Sequence, residues 1–242
     1  MSINPKTMSA STSLPHKFLG LIKLDTLFLR LPGDLGLASS WGPQVQEVVV
    51  HGALPQLIVQ QQESFTQSAF APAFGKAVQG LAQNGASAIT TSCGFLVLWQ
   101  KDLQSLTSVP VMTSSLCLLP ELLLKEDQVG VLSIDANSLT PMHWQGAGVF
   151  ESQLSRLVVR GLSPESHFCR SILGNQAKMD AQLAQREVVA AALQLKQSAP
   201  HLKTLVLECT NLPPYQAAIE VATGLKVLSL RDVPVLLSAA SQ

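Results

Sequence analysis

Short apolar runs separated by helix-like segments constrain the fold of this chain more than any other feature. The runs include FLGLIKL at residues 18–24, SAITT at 87–91, VGVLSI at 129–134 and TLVL at 204–207. Their apolar residues follow one another instead of alternating with polar ones, which is typical of strands buried on both faces. Such strands in alternation with helices predict an α/β fold with mainly parallel sheets, each covered by helices on both sides.

The same pattern predicts the approximate bounds of the elements. Strands are predicted at 18–24, 46–50, 87–91, 109–113, 129–134, 156–159, 204–207 and 226–230. Helices are predicted at 54–83, with an interruption near Ala71-Pro72, and at 95–106, 116–125, 140–146, 178–197, 213–222 and 233–240. Gly85 ends the first long helical segment, as glycine often does.

Two segments share a layout that indicates an internal duplication. SAITTSCGFL and TLVLECTNLP each place a cysteine just past an apolar strand and ahead of a helix, and in both cases a strand residue lies 18 positions after the cysteine. This layout predicts two pseudo-symmetric three-layer lobes with the active site in the cleft between them. We expect residues 18–113 plus 225–242 to form the first lobe, 114–224 the second, and 1–17 a disordered tail.

Composition narrows the class of protein. Hydrophobic residues make up 47% of the chain and charged residues 13%, so a substantial core can be buried. Sixteen basic residues balance sixteen acidic ones, which predicts no attraction to nucleic acid or to an anionic membrane. No apolar run reaches the ~18 residues of a membrane span. The low charge is compatible with a homo-oligomer.

Cysteine usage points to a reducing compartment. The four cysteines lie far apart without a CxxC pair, which indicates free thiols and predicts a cytoplasmic protein. The first 17 residues lack the apolar stretch of a secretory signal. No metal-binding constellation, Gly-rich phosphate loop or Schiff-base lysine stands out, so neither a metal nor a cofactor is expected.

Cys93 and Cys209 are the predicted catalytic residues. Both follow strands, at the edge where parallel sheets bind ligands, and both precede helices, whose free N–H groups and dipole favour a thiolate. Two such thiols around one substrate would form an acid–base pair, in which one removes a proton from carbon and the other returns a proton to the opposite face. The alternative for a free cysteine is a small buried apolar residue, and we assign Cys117 and Cys169 to it.

Small polar residues near the strand ends are the predicted substrate contacts, because hydroxyl, amide and backbone donors at a helix start suit a carboxylate. This set comprises Asp25, Thr26, Thr91, Ser92, Gly94, Ser138, Thr140, Thr210 and Asn211.

Some polar residues have structural alternatives. Asp25 could orient a thiol or bind a substrate ammonium, or it could be a turn residue, and Thr140 is also well placed to cap a helix. For Arg30 a surface ion pair is favoured over the steering of an anion, and His143 is expected on a helix surface. Glu208 could point into the sheet or into the cleft, and the sequence does not decide between them.

ITTSCGFL around Cys93 and LECTNLPPY around Cys209 resemble the aspartate/glutamate/hydantoin racemase superfamily, and the Cys-Thr of the second segment is the most specific match. LDT at 24–26 is similar to the end of the family's first strand, and RLPGD at 30–34 to a loop of some members. The resemblance extends over nearly the whole chain from about residue 18. It implies two pseudo-symmetric α/β lobes, each supplying one cysteine, and catalysis without a cofactor.

The chain also departs from this family. Gly94-Phe95 stands where glutamate racemases carry Asn-Thr, and Asn211 stands where they carry His and aspartate racemases often carry Glu. Because Asn does not exchange protons near neutral pH, it cannot be a helper acid or base. The resemblance therefore leaves open a substrate other than glutamate or aspartate.

Three functions remain. The first is a cofactor-independent racemase or epimerase of a small amino acid or related carboxylate, with Cys93 and Cys209 as alternating base and acid. The second is a cis–trans isomerase or lyase of the same superfamily that uses a nucleophilic cysteine. The third is a non-catalytic protein that binds small carboxylates.

Overall fold

The computed structural model describes residues 17–60 and 63–240. The predicted tail at 1–17 lies outside these residues except for Lys17. None of the helices within the described ranges is long and apolar enough to cross a membrane.

The first sheet contains β1 (Phe18–Leu24), β2 (Val45–Val50), β3 (Ala86–Thr91) and β4 (Val111–Met112). Its strands are all parallel, in the order β2-β1-β3-β4. The central strand β1 packs Ile22 and Leu24 into the main core and Leu19 and Leu21 into a second cluster on the opposite face. Burial on both faces explains why its sequence is apolar without alternation.

The second sheet repeats this arrangement. It contains β5 (Val129–Ser133), β6 (Leu157–Gly161), β7 (Thr204–Leu207) and β8 (Lys226–Leu228), all parallel in the order β6-β5-β7-β8. The prediction of two α/β lobes with parallel sheets is confirmed.

Helices cover the sheets. They are α1 (Pro55–Val59), α2 (Ala71–Gln83), α3 (Gln100–Ser105), α4 (Leu119–Lys125), α5 (Pro141–Gly146), α6 (His167–Leu173), α7 (Ala181–Ser198), α8 (Gln216–Thr223) and α9 (Pro234–Ala240). The segment predicted as one interrupted helix at 54–83 forms α1 and α2, each with a proline in its first turn, a position that needs no backbone donor. The helix predicted at 95–106 starts as a 3-10 helix, Gly94–Trp99, which leads into α3.

One predicted lobe boundary is wrong. The strand near residue 226 was assigned to the first lobe, but β8 pairs with β7, with Leu205 opposite Val227. The chain returns to the first lobe only afterwards, where Leu236 and Ala239 of α9 pack against Leu19 and Leu21. A strand of three residues carries too little pattern to show which sheet it joins.

The backbone at the ends of β3 and β7 shows the pseudo-symmetry directly. The N–H of Ser92 donates to the carbonyl of Ile22 on β1 at 2.9 Å, and the N–H of Glu208 donates to the carbonyl of Leu132 on β5, also at 2.9 Å. Ser92 and Glu208 are therefore equivalent positions, and so are the cysteines that follow them.

Candidate active site

Both cysteines line one cavity, between the carboxyl ends of the two sheets. The cavity holds about 350 Å³ of empty space, of which only about 20 Å³ admits the centre of a water molecule. That is room for about one water, so the site is narrow. Its polar lining residues are Thr26, Arg30, Ser92, Cys93, Glu208, Cys209, Thr210 and Asn211.

Cys93 caps the 3-10 helix Gly94–Trp99 and is buried. Burial raises the pKa of its thiol to about 12, and the negative charge of Glu208 adds to this. Hydrogen bonds from the backbone of Phe95 and Leu96 act in the opposite direction but are outweighed. The expectation of a lowered pKa is wrong here, because removal from water dominates the effect of one short helical turn.

Cys209 behaves in the same way. Its pKa lies well above the ordinary value, first because of burial and second because of the charge of Glu208. Its Sγ donates to Oδ1 of Asn211 at 3.5 Å. Both thiols therefore hold their protons near neutral pH, and a thiolate requires either a proton acceptor or a cation inside the cavity.

A charged network reaches Cys209 from the first lobe. Nη1 of Arg30 donates to Oδ1 of Asp34 at 2.7 Å, and Nδ2 of Asn211 donates to Oδ2 of the same carboxylate at 2.7 Å. The side chains of Arg30 and Asp34 are only 7% and 3% exposed. The expected surface ion pair of Arg30 is thus a buried one at the cavity wall. The guanidinium also lies 4.6 Å from the ring centre of Phe28, a favourable cation–π arrangement.

Glu208 points into the cleft, which answers the question that the sequence left open. It is 1% exposed and lines the cavity. Oε2 accepts a hydrogen bond from Oγ of Ser133 at 2.9 Å, whereas the buried Oε1 has no partner within residues 17–60 and 63–240. Burial raises the pKa of this carboxyl to about 8, although the Ser133 hydrogen bond lowers it in part.

Gly94 allows the two lobes to approach each other. A Cβ built at this position would lie far inside 3.0 Å of both the carbonyl oxygen and Oε1 of Glu208. Thr210 makes the equivalent contact from the other lobe, since its Oγ1 donates to the carbonyl of Ser92 at 2.7 Å. Thus the departure from the Asn of glutamate racemases at residue 94 makes room for a carboxylate side chain.

The structure places five of the predicted substrate contacts at the cavity: Thr26, Ser92, Gly94, Thr210 and Asn211. Several of their polar groups already have protein partners. Oγ1 of Thr26 accepts from Nη2 of Arg30 at 3.2 Å, and Oγ of Ser92 accepts from the N–H of Leu24 at 3.0 Å.

Four predicted contacts do not line the cavity. Asp25 is a turn residue whose Oδ2 accepts from the N–H of Gly52 at 2.9 Å. Oγ1 of Thr91 donates to the carbonyl of Thr113 at 2.9 Å, so this side chain ties β3 to the segment after β4. Oγ of Ser138 donates to Asp135 at 2.7 Å, and Thr140 is the N-cap of α5.

Sequence reasoning placed His143 wrongly. Its side chain is fully buried, Nδ1 accepts from the N–H of Thr140 at 3.1 Å, and the ring packs edge-on against Phe95 of the cavity wall. Burial lowers the pKa of this imidazole to about 4, which keeps it neutral. The SLTPMH segment indicates a capping box, but nothing local indicates that the other lobe covers it.

Within residues 17–60 and 63–240, no three His, Cys, Asp or Glu side chains come together in a way that could hold a metal ion.

A family model described as Asp/Glu/Hydantoin racemase matches residues 37–237. The chain belongs to this family. This Asp/Glu/hydantoin racemase family protein is 30% identical over 228 residues to the dimethylsulfoniopropionate lyase of Durusdinium sp. clade D, covering 89% of this chain and 72% of the relative. It is 29% identical over 220 residues to dimethylsulfoniopropionate lyase 3 of Emiliania huxleyi, covering 88% of this chain but only 56% of that relative.

Solved structures support the fold of this racemase-family chain. Glutamate racemase of Francisella tularensis is 15% identical with a TM-score of 0.54, covering 94% of this chain and 80% of that one. An aspartate racemase homologue of Pyrococcus horikoshii is 16% identical with a TM-score of 0.57, covering 94% of this chain and 100% of that one. An arylmalonate decarboxylase is 14% identical with a TM-score of 0.56, covering 93% and 91%. At these identities the likeness concerns the fold alone.

Proposed function

We propose that this chain is a lyase that removes a proton from the α-carbon of a small carboxylate and expels a leaving group from the β-carbon, with dimethylsulfoniopropionate as the substrate. The observation that carries the proposal is the single cavity that joins Cys93, Cys209, Glu208 and Arg30. The substrate is suggested by the names of the curated relatives.

The reaction balances without a cofactor. A base takes one proton from the α-carbon, and the electron pair of that C–H bond forms the double bond of acrylate. The bond between the β-carbon and the sulfonium sulfur breaks, and its electron pair leaves with dimethyl sulfide. One proton is released for each turnover. The lyase class belongs to the second of the three functions considered from the sequence, but that function expected a nucleophilic cysteine, whereas here the cysteine acts as a base.

The charges of the cavity suit both ends of such a substrate. Among the described residues, Arg30 is the only basic residue that lines the cavity, and a guanidinium has five N–H donors. Its contacts with Asp34 and Thr26 leave donors for a carboxylate. A sulfonium cation held near the thiols would lower their pKa values, since an opposite charge at ~4–6 Å does so by roughly 1–3 units. The substrate thus supplies a cation that favours the thiolate.

The narrow cavity implies that the lobes or the cavity loops move apart before substrate enters. Closure then excludes water, which strengthens the electrostatic contacts of the closed site.

Racemisation of a chiral carboxylate is the second candidate. The pseudo-equivalent positions of Cys93 and Cys209 support it, because a racemase needs a proton donor and an acceptor on opposite faces of one carbon. The two functions share the first proton transfer and differ in the fate of the electron pair left on the α-carbon, which either expels the leaving group or takes up a proton again.

The deciding experiment uses the full chain with dimethylsulfoniopropionate, following dimethyl sulfide by gas chromatography and acrylate by NMR. We expect equal amounts of both products, and at least a ~100-fold lower rate for whichever of Cys93→Ser and Cys209→Ser removes the base. Cys117→Ser is the matched control and should keep the rate, because this thiol lies outside the cavity.

The proposal fails if the wild type releases no product above the uncatalysed rate. It also fails if Cys93→Ser and Cys209→Ser both keep the wild-type rate. In parallel, aspartate, glutamate and chiral hydantoins in D2O test the second candidate. Loss of optical purity together with α-deuteration, without elimination, would favour racemisation.

A further inference from the structure

Glu208 has more hydrogen-bonding capacity than its structural position requires. Its equivalent in the first lobe is Ser92, whose Oγ accepts from the N–H of Leu24 at the end of β1. In the second lobe the carboxyl of Glu208 is held by Ser133 and by the backbone of Ile134 at the end of β5. In the first lobe, the single side-chain oxygen of a serine is enough to contact the end of the central strand. The second carboxyl oxygen of Glu208 is therefore not needed for the equivalent contact.

The surplus oxygen is costly. Oε1 of Glu208 is buried with no hydrogen-bond partner among the described residues, and a buried polar atom without a partner destabilises a fold. A Cβ at position 94 would meet Oε1 as well as the carbonyl oxygen of Glu208, so the glycine leaves Oε1 beside the residue that follows Cys93.

The two thiols differ in what surrounds them. The thiol of Cys209 donates to Oδ1 of Asn211, so its proton already has an acceptor. Among the described residues no such acceptor contacts the thiol of Cys93, whereas the free Oε1 of Glu208 lies beside Gly94, the next residue along the chain. Glu208 is therefore the acidic neighbour to which Cys93 can pass its proton.

The proposed elimination needs a place for a proton. Racemisation returns a proton for each one removed, but elimination releases one per turnover, and the narrow cavity has room for only about one water. We propose that Glu208 is the proton acceptor of the closed site, taking the proton of the Cys93 thiol onto its free Oε1. This inference rests on the proposed lyase function.

The proton balance closes over one cycle. The S–H bond of Cys93 breaks and an O–H bond forms on Glu208, which leaves a thiolate and a neutral carboxyl. The thiolate then takes the α-proton, so the thiol is restored as the products form. When the site opens, Glu208 returns its proton to solvent, which accounts for the one proton released.

The test uses Glu208→Gln, which is nearly isosteric and cannot accept the proton, and Glu208→Ser, which copies the first lobe. The pKa of Glu208 is about 8, so its accepting form appears as the pH rises through that value. Wild-type turnover should rise with pH and level off above about 8. Both variants should be at least ~10-fold slower at pH 8.5, and their turnover should keep rising with pH toward the pKa of the thiol.

Ser133→Ala removes a hydrogen bond that lowers the pKa of Glu208, so the plateau of its turnover should begin at a higher pH.

Alkylation of Cys93 by iodoacetamide, followed by mass spectrometry of its peptide, needs no substrate. In the wild type the rate should rise with pH up to about 8 and then flatten, because further loss of a proton leaves the charge on Glu208 instead of sulfur. In Glu208→Gln it should keep rising, so this variant labels faster at pH 9 although it turns over more slowly. If the side chain of Glu208 were needed only for packing, its replacement would not make labelling of Cys93 faster and turnover slower at the same time.

Absence of the flattening in the wild type would overturn the inference, whatever the substrate. A Glu208→Gln turnover within twofold of wild type at pH 8.5 would do the same. If the wild type forms no dimethyl sulfide but the flattening is present and is lost in Glu208→Gln, the lyase assignment fails while the proton acceptor stands.

Discussion

At the scale of single residues, burial decides the acidity of both thiols. Sequence reasoning placed Cys93 and Cys209 correctly at strand ends but expected helix ends to lower their pKa values. The thiols are enclosed by both lobes, and loss of water raises the pKa of Cys93 to about 12. Local sequence shows the strand and the turn, whereas the enclosure depends on residues such as Asp34 and Asn211, which are 177 positions apart.

The roles of Arg30 and Glu208 were not predictable for the same reason, because the residues that surround them are far away in the sequence. Each is an ordinary charged residue in its own segment, and each becomes part of the cavity only when the lobes meet. The sequence could predict the small residues beside the cysteines because they share the strand ends with them. The sequence could not predict that the missing side chain of Gly94 lets Glu208 of the other lobe approach.

Replacement of Gly94 by Ala tests this close approach. The added methyl must push against the backbone of Glu208, so we expect the free energy of unfolding to fall by ~1–3 kcal/mol and activity to fall as well. Gly80→Ala in α2 is the matched control, since a Cβ there meets nothing within 4 Å, and it should stabilise the protein by ~0.5–1 kcal/mol. Urea denaturation measures both, and equal effects at the two positions would contradict the expectation.

At the scale of elements, the long buried strands were predictable and the short connections were not. The runs FLGLIKL and VGVLSI predicted the bounds of β1 and β5 to within one residue. Strands buried on both faces are almost entirely apolar, so their ends are easy to recognise. A loop near residues 30–34 was predicted, but its conformation was not, because a residue of the other lobe holds it. Oδ1 of Asn175, after α6, accepts from the N–H groups of Leu27 and Phe28 at 2.6 and 3.3 Å.

Asn175→Gly tests this clamp on the loop that carries Phe28 and Arg30. Asn175 has a φ of 51°, which glycine adopts without strain. The variant therefore removes the side-chain amide without straining the backbone. We expect faster amide hydrogen exchange at Leu27 and Phe28 and a several-fold higher KM, because the loop shapes the cavity. Asn175→Ala should be less stable than Asn175→Gly by ~1–2 kcal/mol from left-handed strain. Unchanged exchange at Leu27 would show that the clamp does not hold the loop.

At the scale of the whole molecule, the two-lobe plan followed from the repeated layout of strand, cysteine and helix. The boundary near residue 225 did not, because β8 is too short to show which sheet it extends. Two buried titratable groups also act on the stability of the whole chain, in opposite directions. The pKa of His143 is lowered from 6.5 to about 4, and the pKa of Glu208 is raised from 4.5 to about 8.

These shifts predict how stability changes with pH. His143 costs stability as the pH falls from 6.5 toward 4, because the unfolded chain binds the proton more readily. Glu208 reduces stability as the pH rises from 4.5 to 8, because the unfolded chain gives up this proton in that range while the folded chain keeps it. The two slopes offset each other between about 4.5 and 6.5.

Between pH 6.5 and 8 only the Glu208 slope remains, so the free energy of unfolding should fall by about 2 kcal/mol, at ~1.4 kcal/mol per pH unit. Glu208→Gln should remove most of this fall, which denaturation at pH 6.5 and pH 8 would show. An equal decline in the variant would place its cause at another group.

The contact between Gly94 and Glu208 also restricts how such a site can evolve. A Cβ at position 94 would meet the backbone carbonyl of residue 208 as well as its carboxyl group, so replacing the glutamate alone does not make room for a side chain at 94. A lineage that gains such a side chain therefore has to move the two lobes apart at this point. Relatives with a side chain at the position of Gly94 should hold these two strand ends farther from each other.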